Sequence, residues 1–510
     1  MKRLAVICTL LAAFPANAAH FTNLAPGAYR IWMDDAPDQV MSATDGDLDV
    51  ALLPGQKVAL EAVENDPDPT ATLDPTEEAT PEPTEEPTPS PTPTLEGIEL
   101  VVASYDADTG QNRFEVLDAA GKSLTGAVQV LQGVTMKAEI EASDLDGDGM
   151  VEIVAVGVHP TNGLVIEYWT GQGTRFQEVA GLTNGGSGEF HLAMGDLDAT
   201  PGNEPVIVSR EDDGSFSLKA FDGSGIPTWN SPQVLSSEYA TVESLLTADV
   251  DSDGADEVIL LARRDNGVVD MIVHEDGFNL SEVVAFGNGA TGDATAIAMD
   301  LDGDGASEIA AVAKNSQTNS FRLLVFTWQG DILMRENVLP GDFEASASFT
   351  ASDLDNDGRD EVVAVGRMLH TGSNIIQVID DDGSRMLSRS VLDPSFDAVK
   401  SNTVADVDGD GFYEIVVGGK HEETGVTAYQ ILGLDGNIVA GGTAFESGTN
   451  NDPWLVSTDL DEDGADDLMV FGEISEGAYG VELHDGANGD IRFTTTFSAP
   501  PSTVQTADLL

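Results

Sequence analysis

From residue 96 onward the chain repeats one pattern at a fixed interval. An unbroken apolar run (EIVAVG, EPVIVS, EVILLA, EIAAVA, EVVAVG, EIVVGG, DLMVFG) is followed by three stretches in which apolar and polar residues alternate, separated by Gly- or Asp-rich turns. Period-two alternation marks a strand buried on one face, and a short unbroken run marks a strand covered on both. Four strands in about 52 residues make one blade of a β-propeller.

Each apolar run is preceded by an Asp-rich marker: DLDGDGMVE from Asp144, DLDATPGNE from Asp196, DVDSDGADE from Asp249, DLDGDGASE from Asp300, DLDNDGRDE from Asp353, DVDGDGFYE from Asp406 and DLDEDGADD from Asp459. Successive starts are 52, 53, 51, 53, 53 and 53 residues apart. Chance does not keep such a register, so the segment is a repeat array. Seven markers suggest seven blades, yet the strands suggest eight. IELVVAS at 98–104 matches the strand after a marker, with Glu99 lying 53 residues before Glu152, and the final STVQTADLL matches the strand before one, with Asp508 in the first-Asp place. The pattern therefore predicts an all-β propeller of eight four-stranded blades, closed by pairing of its first and last strands so that no sheet edge is left open. A seven-bladed ring with a terminal hairpin is the alternative.

The markers have the donor chemistry of calcium sites. Calcium takes six to eight oxygens, and a nine-residue D-x-D-x-D-G-x-x-E loop offers side-chain oxygens at positions 1, 3 and 5, a carbonyl near 7 and a carboxylate at 9 able to bind through both oxygens. Glycine at position 6, Gly149 in the first loop, supplies the positive φ of the turn. The candidate ligands are Asp144, Asp146, Asp148 and Glu152; Asp196, Asp198, Thr200 and Glu204; Asp249, Asp251, Asp253 and Glu257; Asp300, Asp302, Asp304 and Glu308; Asp353, Asp355, Asp357 and Glu361; Asp406, Asp408, Asp410 and Glu414; and Asp459, Asp461, Asp463 and Asp467. The second loop departs from the pattern, with Thr200 and Pro201 at positions 5 and 6, and is expected to bind more weakly. The seam between Asp508 and Glu99 lacks positions 3 and 5, so no ion is expected there. Acidic turns without metal are the competing reading. They leave unexplained why 27 carboxylates crowd into seven small loops that repel themselves when empty.

These loops, each followed by a hydrophobic strand, resemble the FG-GAP or VCBS repeat propellers, which include the head of integrin α subunits, and the resemblance covers 96–510. It implies calcium in loops on one face and, in integrin-like members, ligand binding on the other. Phe-Gly occurs only sporadically (Phe286-Gly287, Phe471-Gly472) and the Gly-Ala-Pro half is absent, so the chain looks like the bacterial branch. Some eight-bladed calcium propellers of similar appearance are polysaccharide lyases, which keeps an enzymatic reading open.

The residues before the array have other roles. Residues 1–18 read as a secretory signal, with Lys2 and Arg3, an apolar run and the small-x-small site Ala16-Asn17-Ala18, so the protein is expected outside the cell or at its surface. Residues 19–65 form a short β-leaning segment. Residues 66–95 are Pro, Thr and Glu with almost nothing to bury, a disordered spacer with an extended reach of about 90 Å at about 3.1 Å per residue. The one cysteine, Cys8, lies inside the signal, so no disulfide staples the mature chain.

Charge narrows the partners. Acidic residues number 90 against 22 Lys plus Arg, for a net charge of -68. Nucleic acid and anionic membrane surfaces are poor partners for such a chain. Seven calcium ions offset only a small part of that charge. No later segment is apolar enough to cross a membrane, and a monomeric propeller is expected.

The scarce cations fall at one repeat position. Six residues beyond the closing acid stand Arg210, Arg263, Lys314, Arg367 and Lys420, with Val158 (beside His159), Tyr105 and Glu473 as exceptions. This position ends the strand after the loop, on the face opposite the calcium loops. Two roles are open: a ring that receives carboxylates or sulfates of an anionic polysaccharide, or charges that cap strand ends and discourage aggregation. Trp169 and Trp328 either stack on sugars or cover blade edges. The seven histidines are dispersed, and no G-x-S-x-G, H-E-x-x-H or phosphate loop occurs. The sequence thus reads as a secreted calcium-binding propeller acting as a binding or adhesion module for a glycan or protein ligand. A calcium-dependent polysaccharide lyase is the alternative, and a matrix component is a third reading.

Overall fold

A computed structural model describes residues 98–508 except 107–108, 119, 135, 181–187, 398–400, 446–448, 450–452, 461–462, 476–477, 485–490 and 498–500, together with strand backbone at 18–21, 27–33, 36–43, 48–51 and 58–63. The chain divides into two units, Met1–Ser90 and Pro91–Leu510. In the first, Ala18–Phe21 pairs with Leu48–Ala51, and Gly27–Met33 pairs with both Ala36–Ala43 and Val58–Val63. The expected secretory signal up to residue 17 and the spacer at 66–95 lie outside the described residues.

The second unit is a propeller of eight four-stranded antiparallel blades. Blades 1 to 7 follow in chain order, with second strands Glu152–His159, Glu204–Arg210, Glu257–Arg264, Glu308–Asn315, Glu361–Met368, Glu414–His421 and Asp467–Ser475. In blade 6 the first strand is split into Phe396–Asp397 and Asn402–Ala405, both paired to the second. Blade 8 is assembled from both ends of the propeller: Pro501–Asp508 pairs antiparallel with Ile98–Asp106, and Gln111–Leu117 and Val128–Val130 follow. The seven-bladed alternative is thereby set aside.

Register is the same in every blade. The residue before each loop opposes the closing acid: Ser143 with Glu152, Gly195 with Glu204, Ala248 with Glu257, Met299 with Glu308, Ser352 with Glu361, Ala405 with Glu414 and Thr458 with Asp467. At the seam Ala507 opposes Glu99, which puts Asp508 in the first-Asp place. First strands touch first strands around the ring, and Pro501–Asp508 meets Glu139–Ser143 to close it.

The core explains the two textures of the sequence. Among the described residues eight hydrophobic clusters occur, one at each interface between neighbouring blades. A second strand is sandwiched between two of them. In blade 3, Ile259 and Leu261 face blade 4, whereas Val258, Leu260 and Ala262 face blade 2. Both faces are buried, so the strand must be apolar throughout. Fourth strands lie at the rim with one face in water, and Arg175–Ala180 and Ile438–Ala444 alternate between exposed and half-buried positions.

Candidate metal centres

The loop after each first strand folds around its own first aspartate. Oδ2 of that residue accepts the main-chain N–H of position 6: Gly149 to Asp144, Gly305 to Asp300, Gly358 to Asp353, Gly411 to Asp406 and Gly464 to Asp459, each at 2.9 Å, and Gly254 to Asp249 at 3.1 Å. The closing glutamate reaches back, its Oε2 accepting the N–H of position 2: Leu145 to Glu152 at 3.2 Å, Leu197 to Glu204 and Leu301 to Glu308 at 2.8 Å, Val250 to Glu257 at 3.0 Å, Leu354 to Glu361 at 2.8 Å and Val407 to Glu414 at 3.2 Å. These bonds turn the acidic side chains inward, toward one another.

Oxygens of Asp144, Asp146 and Glu152 lie within 4.8 Å of one another, as do those of Asp196, Asp198 and Glu204, of Asp249, Asp251 and Glu257, of Asp300, Asp302 and Asp304, and of Asp353, Asp355 and Asp357. Among the position-5 candidates, Asp148, Asp253, Asp304, Asp357, Asp410 and Asp463 each accept the N–H two residues on, which holds them in the turn. In the sixth loop Asp406 and Glu414 make the same backbone bonds as their counterparts, and Asp408 lies between them in sequence. Asp461 lies outside the described residues, and Asp467 is buried.

The electrostatics match the crowding. Burial, opposed in part by the N–H from position 2, raises the closing carboxyls, and the loop aspartates raise them further. Glu152, Glu204, Glu257, Glu361 and Glu414 reach about 7, and Glu308 moves the same way. Of the buried carboxylate oxygens without a hydrogen-bond partner among the described residues, two belong to the loop acids, Glu257 Oε1 and Asp196 Oδ1. Each belongs to one of the oxygen clusters just described.

The second loop is built differently where its sequence departs. Thr200 turns its hydroxyl to Asp198 Oδ1 at 2.5 Å, and Gly202, one place late, takes the positive φ of 119°. Asp196, Asp198 and Glu204 still converge.

Two features of the loops escape the sequence pattern. Position 4 is left-handed as well as position 6: Gly147, Ala199, Ser252, Gly303, Asn356 and Gly409 have φ between 56° and 76°. The loops are also tied to one another. The N–H of position 8 donates to the carbonyl of position 1 in the preceding loop: Asn203 to Asp144, Asp256 to Asp196, Ser307 to Asp249, Asp360 to Asp300 and Asp466 to Asp406, at 2.6–2.8 Å. The carboxylates of Asp256, Asp360 and Asp466 return the contact by accepting the N–H of that same position-1 residue. The recurrent acid at position 8 is the one signal in the sequence that points to this chain of loops.

The five cations sit at the far ends of the second strands. Arg210 pairs with Glu189 at 2.7 Å and donates to the carbonyls of Tyr239 and Ala240 in the next blade. Arg263 holds Glu243 through two nitrogens and reaches the carbonyls of Ala290 at 3.0 Å and Gly292 at 2.6 Å, again in the next blade. Lys314 Nζ donates to Phe343 and Glu344 carbonyls at 2.8 and 3.1 Å. Arg367 faces Glu344, Asp397 and Glu422. Lys420 is also partnered. Four of the five thus clasp the following blade. The tryptophans pack as edge covers: Trp169 meets Phe114 edge-on and donates to Glu167 at 3.2 Å, and Trp328 lies against the cluster between blades 3 and 4.

Residues 300–364 match the FG-GAP-like repeat family. No curated protein matches the chain. Among solved structures, AofleA from Arthrobotrys oligospora is similar at 14% identity, covering 63% of this chain and 89% of that one with a TM-score of 0.37. The V. cholerae biofilm matrix protein Bap1 is similar at 13% identity over 80% and 88% of the two chains, TM-score 0.30. The Aleuria aurantia lectin is similar at 11% identity over 61% and 96%, TM-score 0.34. At this level of likeness these proteins say nothing of what the present chain binds.

Proposed function

We propose that this protein is a secreted calcium-binding propeller that serves as a binding or adhesion module for a glycan or another extracellular partner. The observation that carries the metal part is the third loop. Glu257 is fully buried, its Oε1 has no hydrogen-bond partner, and it shares one cluster with Asp249 and Asp251. A buried carboxylate oxygen without a donor costs about 1–3 kcal/mol or more, and like charges crowded together add to that. A hard divalent cation answers both, and a donor set made only of oxygens suits calcium rather than zinc or copper.

In the complete loops the aspartates at positions 1, 3 and 5 and the acid at position 9 would hold the ion. Bound calcium would neutralise the cluster and fasten the connection between the first and second strands. The link from position 8 to the preceding loop ties each such site to its neighbour. The binding role is supported by the secretory pattern of residues 1–18 and by a ring that presents one turn-rich face free of these loops. Calorimetric titration of chelator-treated full-length protein with calcium tests the metal part: heat from several sites is expected, and no heat refutes it. A glycan array probed with and without calcium tests the module.

A further inference from the structure

We infer that the cleft between blades 3 and 4 is an oxyanion-binding site for an acidic saccharide, separate from the calcium loops. The inference rests on the binding-module reading above and names a site for it. The cleft has a volume of about 360 Å³, within the range of small-ligand sites. Its apolar wall includes Val284, Phe286 and Leu324, and its polar lining includes Asn315, Arg322 and Arg335 beside the main chain of Gly287 and Gly289. Among the described residues no carboxylate lines it, in a chain with 90 acidic residues against 22 basic ones.

The two arginines carry the argument. In the sheet of blade 4, Leu324 opposes Arg335 and Arg322 opposes Asn337. Arg322 and Leu324 are two residues apart on one strand, so both guanidinium groups rise from one face as diagonal neighbours, within mutual reach. Leu324 belongs to the cluster between blades 3 and 4, which fixes that face as the one lining the cleft. Neither arginine makes a hydrogen bond or ion pair with any described residue, whereas Arg175, Arg210, Arg263, Arg264, Arg359 and Arg367 each face a carboxylate. Lys314 contributes no charge to the cleft, because its amino group points to blade 5 and donates to the Phe343 and Glu344 carbonyls.

Two guanidinium groups beside an apolar floor repel each other until an anion enters, and a pair of such forks matches the two oxygens of a carboxylate or sulfate. The cleft between blades 8 and 1 makes the contrast. It holds Arg175, but that guanidinium lies between Glu167 at 2.6 Å and Glu178 at 2.7 Å. A saccharide fits the blade 3–4 cleft better than an acidic peptide does. Its mixed lining of amide, glycine main chain and small apolar side chains suits a hydroxylated ring that bears one acidic group.

The test is calorimetric titration of the full-length protein, at constant calcium, with galacturonate, galactose 6-sulfate, galactose and poly-glutamate. Saturable binding of galacturonate or galactose 6-sulfate, absent for galactose, is expected, and whichever binds names the acidic group. The double variant Arg322→Gln/Arg335→Gln should weaken binding at least tenfold, whereas Arg385→Gln, an arginine of blade 5, should leave it unchanged. Loss of binding in the double variant counts only where its calcium titration and melting profile match the parent. No binding of either acidic sugar, or equal binding by the double variant, overturns the proposal, and binding of poly-glutamate alone overturns the ligand class. A parent that binds acidic sugar but takes up no calcium leaves this site standing and removes the calcium reading.

Discussion

The clasp at Arg263 offers the sharpest test of what holds the ring together. Its side chain is 16% exposed and that of Glu243 only 5%. Glu243 also accepts the N–H of Ala294 at 2.7 Å, so the pair joins blades 3 and 4 in both directions. Arg263→Met keeps most of the stem and removes every donor, leaving a buried carboxylate with one backbone N–H. Breaking such a pair costs about 3–5 kcal/mol when buried, and the partial exposure of the arginine places the loss at the lower end, about 3 kcal/mol. Unfolding entropy is about 2.1 cal/mol/K per residue, so over roughly 410 residues this lowers the melting temperature by about 3–4 °C. Adding Glu243→Gln removes the stranded charge and should recover part of the loss. The assay is a thermal scan of the four proteins of this cycle, with amide exchange at Ala294 as the local readout. A fall below about 1 °C, together with unchanged exchange, would show that Arg263 is free to serve a ligand and is not a clasp.

Other perturbations separate the remaining forces. Gly303→Ala should destabilise more than Gly305→Ala: both positions are left-handed, but a Cβ at Gly303 meets the Gly358 carbonyl at 2.8 Å whereas that at Gly305 meets nothing within 4 Å. Urea midpoints of the two variants decide it, and equal losses contradict the loop packing. Chelation should lower the melting temperature, since one site at 100 times its dissociation constant adds about 2.7 kcal/mol; identical midpoints with and without chelator count against calcium. Burial, and then the neighbouring charge of Glu139, raises the Glu141 carboxyl from 4.5 to about 7. Because the folded value lies above the unfolded one, the stability it contributes is complete below about 4.5 and is lost as pH climbs through 7. Glu141→Gln should therefore show a flatter loss of stability between pH 5 and 7.5 than the parent, and parallel curves exclude this origin.

Much of the molecule was legible in the residues alone, because a repeat turns weak local signals into a strong one. The unbroken run after each marker requires a strand buried on both faces, period-two alternation marks its neighbours as buried on one, and stacking of similar blades is the arrangement that supplies both. The eighth blade was legible for the same reason: IELVVAS and STVQTADLL are halves of one pattern, and an unpaired strand edge is costly. The acidic clusters were readable as well, since Asp at positions 1, 3 and 5 with an acid at 9 has few other uses.

What only the tertiary structure decided lies between blades, where sequence periodicity carries no information. Glu167, Gln377, Gln430 and Glu482 look like stray polar residues in apolar strands. Each accepts the N–H of a left-handed residue that ends the preceding blade: Leu131, Leu339, Leu392 and Phe445. The five aligned cations were legible as a set, whereas the groups of the next blade that lie beside four of them were not. Arg322 and Arg335, by contrast, occupy no repeat position that stands out. Partners brought together by ring closure are distant in the chain, and a residue's charge is known from its name while its compensation depends on what folding sets beside it.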